Sequence, residues 1–195
     1  PSAKEMGWTD DDNPSIFSEH LKYKLSQLPR TGSAALVPWT GNYWPTFQDN
    51  INYRWDGSSS QSPAEKYAEA FQVNYLEDKI SRYYGIDSNK DRKACSTNSD
   101  CDTSIAEKCA KRRGKDRGRC IPTWWGICHA WAPAAILAPE PKEPVTRNGV
   151  TFKVNDIKAL LTLSYNRVNS RFISLRCNES DSAGEIDYDA YGNPT

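Results

Sequence analysis

The chain has 195 residues, with 25 Lys and Arg set against 25 Asp and Glu, a net charge of zero and 37% hydrophobic residues. That balance reads as one globular domain, or one lobe of a larger one, and it removes any global electrostatic argument for nucleic acid as a partner. No apolar run approaches the length of a membrane span, so no membrane partner is expected. No basic stretch followed by an apolar one opens the chain, so a signal peptide or pro-segment is expected to have been removed or left out.

The first predicted element is a helix announced by Asn13 and Pro14, a cap residue followed by a proline at the first helical position. Phe17, Leu21, Leu25 and Leu28 make its stripe, and Pro29 ends it. Residues 37–61 are irregular and aromatic. Trp39, Tyr43, Trp44, Phe47, Tyr53 and Trp55 carry more apolar surface than a solvated loop tolerates, so this segment must lie against the rest of the molecule. A second helix opens with a capping box, Ser62 and Glu65 with Pro63 between them. It is predicted to run to Gly85 with Ala64, Ala68, Phe71 and Tyr75 on one face.

Residues 87–120 form a polar insert containing Cys95, Cys101, Cys109 and Cys120. Five, seven and ten residues separate these cysteines and no histidine lies among them. Zinc ligands usually come in closer pairs, so the spacing favours disulfides, and disulfides imply an oxidising compartment and a secreted protein. The expected pairing is Cys95 with Cys109 and Cys101 with Cys120, one of the three connectivities that four cysteines allow and that sequence alone does not choose between. Lys108, Lys111, Arg112, Arg113, Lys115, Arg117 and Arg119 concentrate positive charge here, either as a solvated loop or as a surface for an acidic partner or polysaccharide. Residues 87–91, Asp-Ser-Asn-Lys-Asp, alternate oxygen ligands like the start of a calcium loop, but lack its glycine and distal glutamate.

Cys128 stands at the start of a short apolar run, TWWGICHAWAPAAILAPEP at residues 123–141. A thiol becomes a good nucleophile on losing its proton, and a helix N-terminus assists by aligning backbone dipoles and unpaired N–H groups toward it. Gly126 permits a tight turn, Trp124 and Trp125 anchor it, and the helix that follows is predicted to bury Trp131, Ala135 and Ala138. Pro133, sixth in that helix, is expected to cost a hydrogen bond and bend it. Beyond lie a strand at Val150 to Val154 and a helix from about Asp156 to Tyr165, with Ile157, Leu160, Leu161 and Tyr165 inward. A strand at 171–177 and an acidic, irregular end from Asn178 complete the chain. Asn178 heads its single glycosylation sequon.

The run Trp124-Trp125-Gly126-Ile127-Cys128-His129-Ala130-Trp131 resembles the glycine-x-cysteine-aromatic signature of the papain and transglutaminase superfamily, with His129 where Trp is common. The longer run from Gly126 to Asn166, with the segment Thr40 to Trp55, is similar to the secreted transglutaminase elicitors of plant-pathogenic oomycetes. The resemblance implies an α+β, papain/transglutaminase-like fold: a helix-rich N-terminal lobe with a nucleophile helix, a disulfide-stapled insert, and a core sheet completed by a downstream C-terminal chain. Residues 1–195 are then the N-terminal part of one catalytic domain. Its divisions are a helical and aromatic segment at 1–86, the insert at 87–120, the nucleophile helix with its following helix and strand at 121–177, and a flexible end at 178–195.

The activity implied is a calcium-stimulated protein-glutamine γ-glutamyltransferase that joins Gln to Lys on protein substrates and is recognised by a host plant receptor. Cys128 would be nucleophile and backbone oxyanion donor. Gln48 and Trp44 lie suitably upstream for a second donor, although an aromatic there is better read as packing. His129 follows the nucleophile and points about 100° away from it on a helix, and His20 flanks an apolar stripe as a structural histidine. The histidine base and its carboxylate are therefore expected outside this chain, and so is a partner for Cys177. Two other readings remain open at this stage. One is a secreted papain-like cysteine protease, and the other is a non-enzymatic, disulfide-stapled binding module in which Cys128 is inert.

Overall fold

The computed structural model describes residue 20, residue 22 and residues 24–168. The chain divides into two compact units, Pro1–Gly32 with Asn169–Thr195, and Ser33–Val168. In the first unit Leu25–Gln27 forms a 3-10 turn and Leu28 is exposed, so the described end of the expected first helix is neither α-helical nor buried at Leu28. The rest of that helix, the strand expected at 171–177, Cys177, Asn178 and the acidic end lie outside the described residues.

In the second unit the Ser62 capping box forms as its residue types dictate. Glu65 N–H donates to Ser62 Oγ at 3.1 Å, and Ser62 N–H donates to the Glu65 carboxylate at 2.7 Å. Helix α1 spans Pro63–Phe71 and helix α2 spans Leu76–Tyr84, where a single helix to Gly85 was expected. The break lies between Gln72 (φ 53°) and Tyr75 (φ 58°), both left-handed. A continuous helix would carry Ile80 about 80° around the axis from Ala70, so the break lets both face inward. It also leaves Phe71 and Tyr75, expected inside, on the surface.

The core forms around Trp44, which is 0% exposed and packs with Ile51, Ala64, Ile80, Ile127, Ala130 and Ala159. Helix α3, Cys128–Leu137, and helix α4, Val154–Ser164, supply the last of these residues. The inner seam of α4 is more polar than its periodicity predicts. Asp156, Lys158, Ala159 and Thr162 are buried, while Ile157, Leu160, Leu161 and Tyr165 are only half-buried. The polar side chains go inside because they have partners there. Asp156 accepts hydrogen bonds from Lys66 Nζ (2.5 Å), Trp55 Nε1 (2.7 Å) and Lys153 N–H (2.8 Å), and Lys158 Nζ donates to Thr40 O and Glu140.

Two small sheets flank the helices, neither of them anticipated whole. Strands β1 (Ala94–Cys95), β2 (Glu107–Ala110) and β3 (Gly118–Pro122) form an antiparallel sheet in the order β1-β3-β2. Cys109 and Cys120 face each other on one rung, and each is bonded back to the 95–101 segment, Cys109 to Cys95 and Cys120 to Cys101. Strands β4 (Val145–Arg147) and β5 (Val150–Phe152) form a hairpin, so the strand expected to reach Val154 stops at Phe152 and Val154 starts α4. Its two-residue turn is Asn148-Gly149, both with positive φ, as a right-twisted hairpin requires.

The insert is latched onto the helices by two arginines. Arg112 meets Asp78 (2.7 Å), Asp87 (2.9 Å) and Asp49 (3.6 Å), while Arg113 joins Arg54 on Glu65. Burial alone would raise the Glu65 pKa, but hydrogen bonds from Arg54, Ser62 N–H and Arg113 outweigh it and bring the value down to about 2. A carboxylate so depressed contributes stability that is fully present above its unfolded value of 4.5 and is lost as pH falls toward about 2. Glu65→Gln should therefore destabilise the protein at pH 7 by about 1–3 kcal/mol. Urea midpoints of the two proteins should converge between pH 4.5 and 2, and a gap constant over that window would contradict this account.

Candidate active site

Cys128 is a free thiol on the surface and the first residue of α3. Its position depends on how closely the loop before it can approach residues 39–46. Ile127 N–H donates to Tyr43 O (2.8 Å), Thr46 N–H donates to Trp125 O (2.9 Å), and the Tyr43 hydroxyl donates to Thr123 O (2.8 Å). Tyr43 thus grips both ends of the loop. Gly126 lies between these bonds. A Cβ there would collide with Tyr43 O, come within 2.7 Å of Tyr43 Cδ2, and crowd Trp44 O at 3.2 Å. Glycine is therefore required by proximity.

The far end of α3 is held by the same segment, since Trp39 Nε1 donates to Ala138 O (3.1 Å) and Trp39 packs on Ala134 and Ala135. Ala130, Ala134 and Ala135 are the buried face. The expected trio of Trp131, Ala135 and Ala138 is replaced because the small side chains at 130 and 134 let the helix sink against Trp44 and Trp39, leaving Trp131 and Ala138 half-buried. Pro133 sits within the helix, which nonetheless continues to Leu137. Having no N–H, Pro133 leaves the His129 carbonyl without its helical donor.

The opposite face of α3 presents Cys128, Ala132 and Ile136 in one row, one turn apart, with His129 and Leu137 beside them, all exposed. A cleft of about 460 Å³ opens beside the thiol, walled by Trp124, Trp125, Tyr83 and Tyr84, with Thr46 and Arg167 at its edges. Trp124 is 69% exposed, and the Arg167 guanidinium stands 5.3 Å from both tyrosine rings. The first N–H groups of a helix have no partner within it. The Cys128 N–H is thus placed to stabilise negative charge on an oxygen bonded to carbon at the sulfur.

The other residues singled out in the sequence are dispersed. His129 lines the cleft, and its Nε2 is held at 2.6 Å by Asn166 Oδ1 rather than by the thiol. His20 belongs to the first unit and is exposed. Trp44 is wholly buried in the core, and Gln48 lines a different cleft with Arg54 and Arg113, so neither side chain faces Cys128. Tyr83, Tyr84, Asn166 and Arg167 were not identified from the sequence. Tyr83 and Tyr84 end α2 and Asn166 and Arg167 follow α4, and only the packing of those helices brings them to Cys128.

Asp87 is bonded to Arg112, and the cysteine trio close enough to share an ion, Cys95, Cys101 and Cys120, is tied up in disulfides.

The family model described as transglutaminase elicitor matches residues 13–195. The crystal structure of the GP42 transglutaminase from Phytophthora sojae is similar at 51% sequence identity and a TM-score of 0.68, over 74% of this chain and 43% of that one. The present chain therefore spans less than half the length of that structure. No curated protein matches it. If the close approach at Gly126 sets the thiol's position, Gly126→Ala should displace it without unfolding the core. The expected outcome is at least tenfold slower alkylation of Cys128 by iodoacetamide or a shifted peptide map around it, with the thermal midpoint within a few degrees of the parent. An unchanged alkylation rate would contradict the role given to Gly126.

Proposed function

The chain belongs to the transglutaminase elicitor family, and on that premise we propose that it carries the nucleophile of a protein-glutamine γ-glutamyltransferase. The observation that supports this reading is an exposed, unbonded thiol at the first position of a helix, in a cleft walled by aromatic rings. The Cys128 thiolate attacks the side-chain carboxamide of a substrate glutamine, and the Cys128 N–H stabilises the tetrahedral oxyanion. Collapse expels ammonia, which takes a proton, and leaves a thioester. A lysine amine attacks the thioester, loses its proton, and restores the thiolate as the isopeptide bond forms. The aromatic walls favour amine over water as the second nucleophile by limiting solvent at the thioester.

The base that moves these protons is assigned to polypeptide other than the described residues, since His129 is engaged with Asn166. The C-terminal continuation of the protein supplies it in this reading and covers the row Ala132, Ile136 and Leu137. A helix apolar on every side is otherwise a buried one, and Leu137 is 65% exposed. Two disulfides favour an extracellular setting, where the protein would act on Gln- and Lys-bearing proteins and be perceived as an elicitor by a plant receptor. No helix among the described residues is long and apolar enough to cross a membrane.

The decisive comparison uses the native protein and its Cys128→Ala variant, with a fluorescent primary amine and a glutamine-bearing acceptor protein. The variant should fold within about 0.5 kcal/mol of the parent, because an exposed side chain is removed. It should lose amine incorporation entirely. Incorporation by the variant would refute the nucleophile assignment. Peptide-bond cleavage without incorporation by the parent would show a protease, and neither activity in the parent would show a non-enzymatic elicitor.

A further inference from the structure

The seven cations between positions 108 and 119 do not share one environment. Arg112 is surrounded by Asp49, Asp78 and Asp87, Arg113 is paired with Glu65, and Lys108 rests over the Phe47 ring at 5.9 Å. Lys111, Lys115 and Arg117 are exposed and, among the described residues, have no carboxylate partner. Arg119 donates to a neutral carbonyl, Arg92 O at 3.0 Å, which does not offset its charge. Lys115, Arg117 and Arg119 lie together in a groove of about 610 Å³ along β3, with Arg112 behind them. Of the two acids in that groove, Asp87 is taken by Arg112, and Asp116 alone opposes the three cations.

A solvated charged loop has no need of a rigid frame, and this one has two. At its base the rung Cys109–Cys120 carries both disulfides, and at its tip Arg112 and Arg113 are anchored to the helices. Lys115 N–H closes a turn onto Arg112 O at 3.0 Å. The backbone that carries the unpaired cations between these fixed points is therefore preorganised, so a ligand that meets them has side-chain rotamers to order but no loop.

We propose that this groove is a binding site for a linear, carboxylate-bearing polysaccharide, a polyuronate. The groove shape and repeated cations call for a chain with repeated negative charge. No aromatic ring lines it, so it lacks the stacking platform a single-stranded nucleic acid uses. Its apolar members are Ala94 and the buried Ile86, so it has no apolar surface to insert into a lipid headgroup layer. The site is separate from the Cys128 cleft and does not depend on the transferase reading.

The test uses the native protein, the groove variant Lys115→Gln/Arg117→Gln, and a control of equal charge change at exposed sites elsewhere, Lys79→Gln/Lys142→Gln. Binding to polygalacturonate, its fully methyl-esterified form, duplex and single-stranded DNA, and anionic vesicles is followed at low and at high salt. Native protein and control should bind polygalacturonate at low salt and release it at high salt, and the groove variant should bind about tenfold more weakly. Equal loss in the control would reduce the effect to net charge and overturn the proposal. So would undiminished binding by the groove variant, equal binding of the esterified polymer, or stronger binding to DNA or vesicles.

Discussion

The second unit is organised around one fully buried carboxylate, that of Asp156. Asp156 sits at the start of α4 with its side chain 0% exposed, and its three donors come from three places: Lys66 on α1, Trp55 in the aromatic segment, and the backbone at Lys153. Taking a carboxylate out of water is costly unless every oxygen is satisfied, and here both are. Because the donors are far apart in the chain, satisfying this charge requires α1, α4 and residues 53–56 to meet in one arrangement. Removing one partner from such a buried pair typically costs about 3–5 kcal/mol, since the other is left uncompensated. Specificity of docking is what Asp156 contributes: apolar contacts around Trp44 hold the helices together, and the carboxylate sets their register.

Residues 39–46 have a similar office toward Cys128. They lie against the 123–128 loop and the buried face of α3, and bond to both, so the position of the Cys128 thiol is set by a strap that is itself part of the core. The helix contributes direction and the strap contributes position. Trp44 itself adopts a positive φ of 47°, an uncommon conformation for a bulky residue, and is held in it by complete burial and by its N–H bond to Asn42 Oδ1 at 3.0 Å. That backbone geometry places Tyr43 O and Trp44 O against Gly126.

What the sequence made legible was whatever is encoded locally. Ser62 and Glu65 announce the start of α1 because a capping box needs only four neighbouring residues. Cys128 announces itself because a small-residue helix after a glycine is a local pattern as well. Asn148-Gly149 is an equally local signal for a hairpin turn, whereas β4 before it has three exposed residues and no apolar alternation to mark it. The three-stranded sheet was hidden for a different reason: its strands have two to five residues, too few for alternation to register, and cross-links hold them in place of a wide apolar face. On α4 the apolar pattern misled, since Asp156 and Lys158 are inside only because of Lys66, Trp55 and Glu140, and no window of local sequence contains those partners. The walls of the Cys128 cleft are of the same kind, assembled from the ends of α2 and α4 and from the loop before α3.

The strap also gives the site a place in time. Its bonds to the Cys128 loop and helix span 80 and 99 residues, and the Lys158 bond that secures Thr40 spans 118. Closing loops of that length is paid in chain entropy before any contact forms, so such contacts form late relative to the capped helices and the hairpin. During synthesis residues 39–46 emerge first and must wait for the segment they will hold. A newly made chain therefore carries the Cys128 thiol for some interval without the geometry that directs it, and the ordered loop, gripped at both ends by Tyr43, is a property of the mature fold alone.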